Sequence, residues 1–381
     1  MHQSDESQRI QKGTDRTGVH ADAAGKTVPP GPARPEFQFH HIPELDGFRG
    51  LAVLVVLAGH YLDFRMPDPR PEFATIDKLG VLLFFVLSGF LITGLLYRER
   101  NASGSIDFKR FYFRRILRLA PALLLFLATV TLLIRLGWIT DVPRREILEC
   151  LLYARNLFGR SLSLSHIWSL SLEEQFYLIW PLAFSLLPMK RSTSYVTAIC
   201  VALAGWRSVA IAANLFSYER GIFYMRPYFR FDSILIGACL VLWLSTSAQA
   251  AEVLKKWLAR VPAVLLWSGL LLWTVFAESL SHAFYLAVQE LLVAVALAQI
   301  ILSESKWLRA IFRWRPLRYC GSISYSLYLW QQVFLVTSVP SWGPLRRLPL
   351  SILVPFLIAA ASYHLMEKPL LGLKNRLAPQ S

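Results

Sequence analysis

Ten apolar runs, at about 44–63, 79–97, 112–135, 170–188, 194–216, 231–247, 261–278, 283–302, 322–339 and 347–366, decide what this 381-residue chain can become. Each is long enough to cross, or nearly cross, the ~30 Å hydrocarbon core of a bilayer. Backbone groups in that core have no water to bond, so only helices and closed barrels span it. Nothing along the chain shows the residue-by-residue alternation of barrel strands. The expected fold is all-α, a polytopic membrane bundle of about ten transmembrane helices. A 55% hydrophobic content and a mean hydropathy of +0.42 belong to the same class. Runs six and nine are the short or polar ones.

An even number of spans puts both termini on one side. Segments on that side carry 24 of the 40 Lys and Arg residues and the opposite loops carry 11. Of ten lysines, Lys78 alone falls outside the termini side. This positive-inside pattern makes both termini cytoplasmic. Basic loops facing anionic membrane lipid account for the net charge of +15, so no nucleic-acid partner is needed. Residues 1–41 are polar and aperiodic and read as a disordered cytoplasmic tail, with no cleavable signal peptide, so the first span would act as an uncleaved anchor. The membrane domain is expected over 42–370, and 371–381 as a C-terminal cytoplasmic tail. Cys150, Cys200, Cys239 and Cys320 are scattered without metal-ligand spacing, which supports neither a zinc site nor a disulfide framework.

Ionisable residues inside spans are costly and therefore candidates for function. Arg49 and His60 stand eleven residues apart on the first run, about three turns, so they share a face and lie roughly 16 Å apart along the axis. A charged anchor and a deeper base could hold a long substrate with an anionic head between them. Neutral imidazole suits removal of a hydroxyl proton; a helix-end histidine bonded to a carbonyl or lipid headgroup is the plainer alternative. Arg49 reads equally as a snorkelling anchor. Arg114, Arg115 and Arg118 open the third run on shared faces, suited to phosphate or merely an Arg-rich span start. Ser171-Leu-Glu-Glu174 fits a capping box, which would give Glu174 a helix-start role and leave Glu173 on a stripe with Tyr177 and Trp180. In the stretch from Tyr218 to Asp232, aromatics alternate with Arg220, Arg226 and Arg230. It reads as an interfacial belt or as a saccharide site with Arg on an anionic group, with Asp232 paired to Arg230 or Arg207. Glu290 has no assignable role. Glu367 lies where Pro369 should end a helix.

Six short stretches recur at span ends: Leu45-Asp-Gly-Phe-Arg-Gly50 with His60; Phe84-Phe-Val-Leu-Ser-Gly-Phe-Leu-Ile-Thr93; Phe111-Tyr-Phe-Arg-Arg-Ile-Leu-Arg-Leu-Ala-Pro121; Trp168-Ser-Leu-Ser-Leu-Glu-Glu-Gln-Phe-Tyr177; Gly321-Ser-Ile-Ser-Tyr-Ser-Leu-Tyr-Leu-Trp330; and Tyr363-His-Leu-Met-Glu-Lys-Pro369. In order and spacing the chain resembles the acyltransferase 3 family of bacterial membrane O-acyltransferases, over about 43–370. The resemblance implies a multi-pass inner-membrane enzyme that takes an acyl group, usually acetyl, from cytoplasmic acyl-CoA. The acceptor it implies is a hydroxyl of a glycan or lipid-linked glycan, such as an exopolysaccharide or O-antigen. It looks like the stand-alone members, without a fused serine-hydrolase-like domain.

By the same resemblance His60 falls at the catalytic histidine, and Glu173 at the acid of Trp-Ser-Leu-x-x-Glu-x-Gln-Phe-Tyr, where it would orient His60 or the acceptor. Arg49, Arg114, Arg115 and Arg118 would hold acyl-CoA, while Arg226, Arg230 and Tyr177 would meet the acceptor. No metal is implied. One departure stands out: Gln331 occupies a position where the family usually shows histidine, and Gln cannot exchange a proton at neutral pH. Two rivals stay open on the residues alone. One is a transporter or flippase for a lipid-linked glycan or acylated metabolite, with the buried charges as its pathway. The other is a protein that binds acyl-CoA without turnover.

Overall fold

A computed structural model describes residues 42–65, 75–159, 161–213, 215, 225–277, 280, 282–335, 345 and 347–377. The expected tail at 1–41 and the aromatic stretch 218–224 lie outside the described residues. The described chain is helical: α1 (Pro43–Arg65), α2 (Ile76–Ser103), α3 (Phe108–Arg135), α4 (Arg144–Leu151), α5 (Arg155–Phe158), α6 (Ile167–Leu186), α7 (Ser192–Ala212), α8 (Pro227–Thr246), α9 (Ala248–Arg260), α10 (Ala263–Phe276), α11 (His282–Leu302), α12 (Lys306–Arg313), α13 (Arg315–Ser322), α14 (Ser324–Leu335), α15 (Leu350–Ser362) and α16 (Lys368–Leu377). No strand occurs among the described residues.

Each of the ten apolar runs is mostly helix where it is described, yet fewer helices are built to cross. Among the described residues seven are long and apolar enough, or eight if α9 and α10, bent by 87°, form one broken span. The runs that differ have visible reasons. The run at 261–278 becomes the 14-residue α10, about 21 Å at 1.5 Å per residue and short of the bilayer core. The run at 322–339 becomes the 12-residue α14, separated from α13 by a turn at Ile323. The α6 helix has the length but carries Glu173, Glu174 and Gln175 in its middle.

Two tight approaches hold the centre. Gly89 of α2 faces the carbonyl oxygen of Ile234 on α8, and Gly237 of α8 faces that of Val86 on α2. A methyl group at either glycine would overlap the opposing backbone, so hydrogen at Cα is what lets the axes come this close. On the other flank Gly50 of α1 meets Leu317 O of α13, and Gly321 of α13 meets Asp46 O of α1. Around these contacts one apolar cluster joins α1, α2, α6, α8 and α11 through residues such as Phe48, Phe85, Phe90 and Leu297. A second, with Phe126, Leu127, Ile167, Leu329 and Trp330, joins α3, α6 and α14.

Two local expectations are corrected. The α6 helix begins at Ile167 after His166, so Ser171 and Glu174 lie inside the helix and form no capping box. Pro369 does not end a helix at Glu367. The chain passes through a π-helical turn, Tyr363–Glu367, and continues as α16. The wider turn absorbs the ring and the missing N–H of proline. Residues 371–377, within the expected C-terminal tail, are helical in α16.

Candidate active site: an arginine-lined cavity leading toward His60

Gly104, at φ +78°, ends α2 in a left-handed turn, and the Asp107 carboxylate caps α3 by accepting from Arg110 N at 2.9 Å. This short hairpin sets the basic start of α3 against the end of α2. Between them, α1, α6 and α14 enclose a cavity of about 330 Å³. Glu99, Arg110 and Arg114 line it near the hairpin. Deeper lie Arg49, Arg115 and Arg118, with Ser88, Glu173 and Tyr177 opposite. Val81, Phe84, Ser169 and Tyr328 complete the wall.

The arginines differ in what they touch. The Arg115 Nη2 donates to Glu174 Oε1 at 2.5 Å and its Nε to the same oxygen at 3.1 Å. Its guanidinium also sits 3.2 Å from the centre of the Tyr177 ring, a cation–π contact. Arg49 pairs with Asp46 one turn back at 3.5 Å. Arg118 has Arg49 and Arg115 as charged neighbours, and among the described residues no carboxylate lies within ion-pair distance of it. Three guanidiniums at one place form a centre for an anion.

Glu173 accepts from the Tyr177 hydroxyl at 3.2 Å and also contacts Ser88. Glu173, expected to orient His60 or the acceptor, lies in the cavity wall beside Tyr177. Two carboxylates stand near His60: Asp77, at the start of α2, 3.8 Å from His60 Nε2, and Asp63, one turn further along α1. His60 is 8% exposed and is not among the residues that line the cavity. Gln331, fully buried, stands beside the ring, and His166 is near enough to feel its charge.

The two places are in register on four helices. On α2 the lining runs from Glu99 to Val81, about 27 Å at 1.5 Å per residue, and Asp77 comes one turn later. On α6 it ends at Ser169, one turn from His166; on α14 at Tyr328, one turn from Gln331. On α1 the step runs from Arg49 to His60. Four neighbouring helices thus lead from the arginines to the histidine.

A cap formed by residues 141–159 and 161–166 covers the His60 end of α14. Gln332 donates to Leu162 O at 3.0 Å and to Ser165 Oγ at 2.9 Å, and His166 Nε2 lies 3.2 Å from Leu329 O. Buried Glu146 accepts from Ser161 N at 3.1 Å, while Arg155 donates to Ser161 O at 2.6 Å. Asp141 accepts from Ser163 N and Oγ at 2.9 and 2.7 Å. Burial pushes the nearby Cys150 thiol up to about 12, which leaves it protonated and unreactive at neutral pH.

Of the expected acceptor-binding residues, Tyr177 lines the cavity and Arg226 and Arg230 do not. Arg226 precedes α8, and Arg230 is buried with its guanidinium 6.0 Å from the Phe85 ring. Asp232 pairs with Arg207 at 2.7 Å. Glu290 acquires a partner as well: its carboxylate takes Arg207 in a fork at 2.7 and 3.0 Å and accepts from Ser233. Sequence reasoning missed Asp77 and the cap. Asp77 was findable, because an antiparallel α1–α2 pair must bring the end of one near the start of the other.

The family model described as an acyltransferase domain matches residues 42–364. YrhL of Bacillus subtilis (strain 168), provisionally named a peptidoglycan O-acetyltransferase, is 31% identical over 363 residues, covering 87% of this chain and 55% of its own length. The peptidoglycan O-acetyltransferase OatA of Listeria monocytogenes is 28% identical over 365 residues, 87% of this chain and 56% of its own. A Staphylococcus aureus (strain COL) protein, provisionally named an O-acetyltransferase, is 28% identical over 362 residues, 87% and 58% of the two lengths. The chain therefore spans a little over half the length of these relatives. No solved structure matches it. With 42–364 covered by that model, the chain belongs to the acyltransferase 3 family.

Proposed function

We propose that this protein is a membrane O-acetyltransferase that moves acetyl from cytoplasmic acetyl-CoA to a hydroxyl of a saccharide. The observation that carries the reading is the register of the arginine-lined cavity with the His60–Asp77 pair on four helices. At about 330 Å³ the cavity suits the arm and acyl end of the donor, with the nucleotide outside near Glu99, Arg110 and Arg114. Arg49, Arg114 and Arg118 meet the phosphates, and Arg115, held by Glu174 and Tyr177, shapes the wall. The hairpin end of the cavity belongs to the basic segments at 97–115, which the charge distribution assigns to the cytoplasm. Both termini then face the cytoplasm, and the membrane is the bacterial inner membrane.

At the far end His60 acts as the base. Its Nε2 faces Asp77, which makes Nδ1 the nitrogen that takes the acceptor's proton as the oxygen attacks the thioester carbonyl. Asp77 steadies the ring and the imidazolium that forms. The names of the relatives make peptidoglycan the first acceptor to try, ahead of exopolysaccharide, O-antigen or a lipid-linked glycan.

The test is thiol release from acetyl-CoA by the purified protein and by His60→Ala, with and without peptidoglycan fragments or other cell-surface glycans. Release that depends on glycan and is lost in His60→Ala supports the reading. Equal release by both removes His60 from the chemistry. Transport of a glycan without thioester cleavage overturns the enzyme reading altogether.

A further inference from the structure

The geometry points to Tyr328 and Ser169 as the hydrogen-bond donors that hold the thioester carbonyl oxygen while it carries negative charge. This rests on the acetyl-transfer reading above and names groups in it. Tyr328 and Ser169 both line the cavity at its His60 end, each one turn from a residue beside His60. The side chains around them include apolar Val81, Phe84 and Leu170, with the Glu173 carboxylate one turn along α6 and near enough to act on Tyr328; a carboxylate accepts, so these two hydroxyls are the hydrogen-bond donors where the acyl end of an extended acyl-CoA would stop.

Their present bonding suits the task. The Tyr328 hydroxyl donates to the His166 carbonyl oxygen at 2.8 Å, and the single Ser169 O–H turns either to the same oxygen, at 3.2 Å, or to the Tyr328 hydroxyl beside it. Both hydroxyls thus lie within reach of one backbone oxygen and of each other. Hydroxyl hydrogens turn about the C–O bond at little cost, so both can turn to a carbonyl placed beside them. The Tyr328 ring is fixed by an edge contact with Phe84, centroids 6.4 Å apart, and lies 5.5 Å from the His166 ring. Both residues are buried, at 7% and 4% exposure, where a donor aimed at a developing charge is worth more than in water.

The step balances. The acceptor oxygen bonds to the carbonyl carbon as His60 takes its proton, and the C=O pair moves onto oxygen, held by the two O–H groups. The carbonyl then re-forms, the C–S bond breaks, and the departing thiolate takes the proton back from His60. The products are the ester and free CoA.

Full-length wild type, Tyr328→Phe and Ser169→Ala are compared on acetyl-CoA and on its dithioester analogue, in which sulfur replaces the carbonyl oxygen and accepts hydrogen bonds poorly. Tyr328→Phe is expected to lose about 100-fold in kcat with KM for acetyl-CoA unchanged. The wild type is expected to react more slowly with the dithioester, and Tyr328→Phe to lose most of that preference. Ser169→Ala should move both readouts the same way, and it decides the matter if Tyr328→Phe fails to fold. Full kcat in both variants overturns the inference. So does a loss of rate with the oxygen-over-sulfur preference intact, which marks a merely structural role. A wild type that turns over in either case leaves the acetyl-transfer reading standing; a wild type that never releases CoA with any hydroxyl acceptor removes both.

Discussion

Arg115 and Arg118 are three residues apart in one basic stretch, yet their surroundings give them different work. Arg115 is bound to Glu174 and stacked on Tyr177, whereas Arg118 has Arg49 and Arg115 as charged neighbours, only partly offset by Glu367. Arg118→Ala is expected to raise KM for acetyl-CoA by about 10–100-fold, the worth of one charge-assisted hydrogen bond, with little effect on the melting temperature. Arg115→Ala should do the reverse first: leaving Glu174 buried without its partner costs about 3 kcal/mol, visible as a lower melting temperature before any assay. Asp77→Asn keeps the shape beside His60 and removes the charge; kcat is expected to fall about 10–100-fold while donor binding, measured by calorimetry, stays put. Much of this site was legible in the chain. Arg49, Arg114, Arg115, Arg118, Glu173 and Tyr177 do line one cavity. What the chain could not display was which carboxylate each cation meets, because a partner on another helix depends on packing and not on spacing. Glu173 was assigned to His60 or the acceptor without that knowledge, and Asp77 went unnoticed.

At the scale of elements, helical periodicity and apolar length identified nearly every long helix, since both are local properties. The breaks were harder. The stop between α13 and α14, the bend between α9 and α10, and the π turn before α16 are decided by what each segment packs against. The α2–α8 contact shows the point best. Gly89 and Gly237 look unremarkable in sequence, and only the crossing explains them. Gly237→Val should push the helices apart, cost about 1–3 kcal/mol by overpacking, and lower the thermal stability in detergent. A variant as stable as the parent would show that the two helices are not held this closely.

For the molecule as a whole, orientation follows from charge, and it has a direct readout. A fluorescent protein fused after Ser381 is expected to fold and fluoresce in cells, whereas a periplasm-dependent phosphatase at the same place should stay inactive; the opposite pattern would invert the proposed topology. The buried Arg207 fork has a different kind of consequence, one of biogenesis. Its carboxylates are supplied by Asp232 on α8 and Glu290 on α11, and both are translated after α7. An arginine in an inserting span adds about 2.5–3.5 kcal/mol at the bilayer centre and less toward its faces, and Arg207 lies five residues from the end of α7. A nascent chain that has made only α7 must bear that cost at the translocon. The first counter-charge arrives with α8, and the forked one only with α11, whose Glu290 lies 83 residues beyond Arg207. Ribosome and translocon would therefore have to hold or release α7 together with its successors, and chains cut short between α8 and α11 would be natural prey for membrane quality-control proteases.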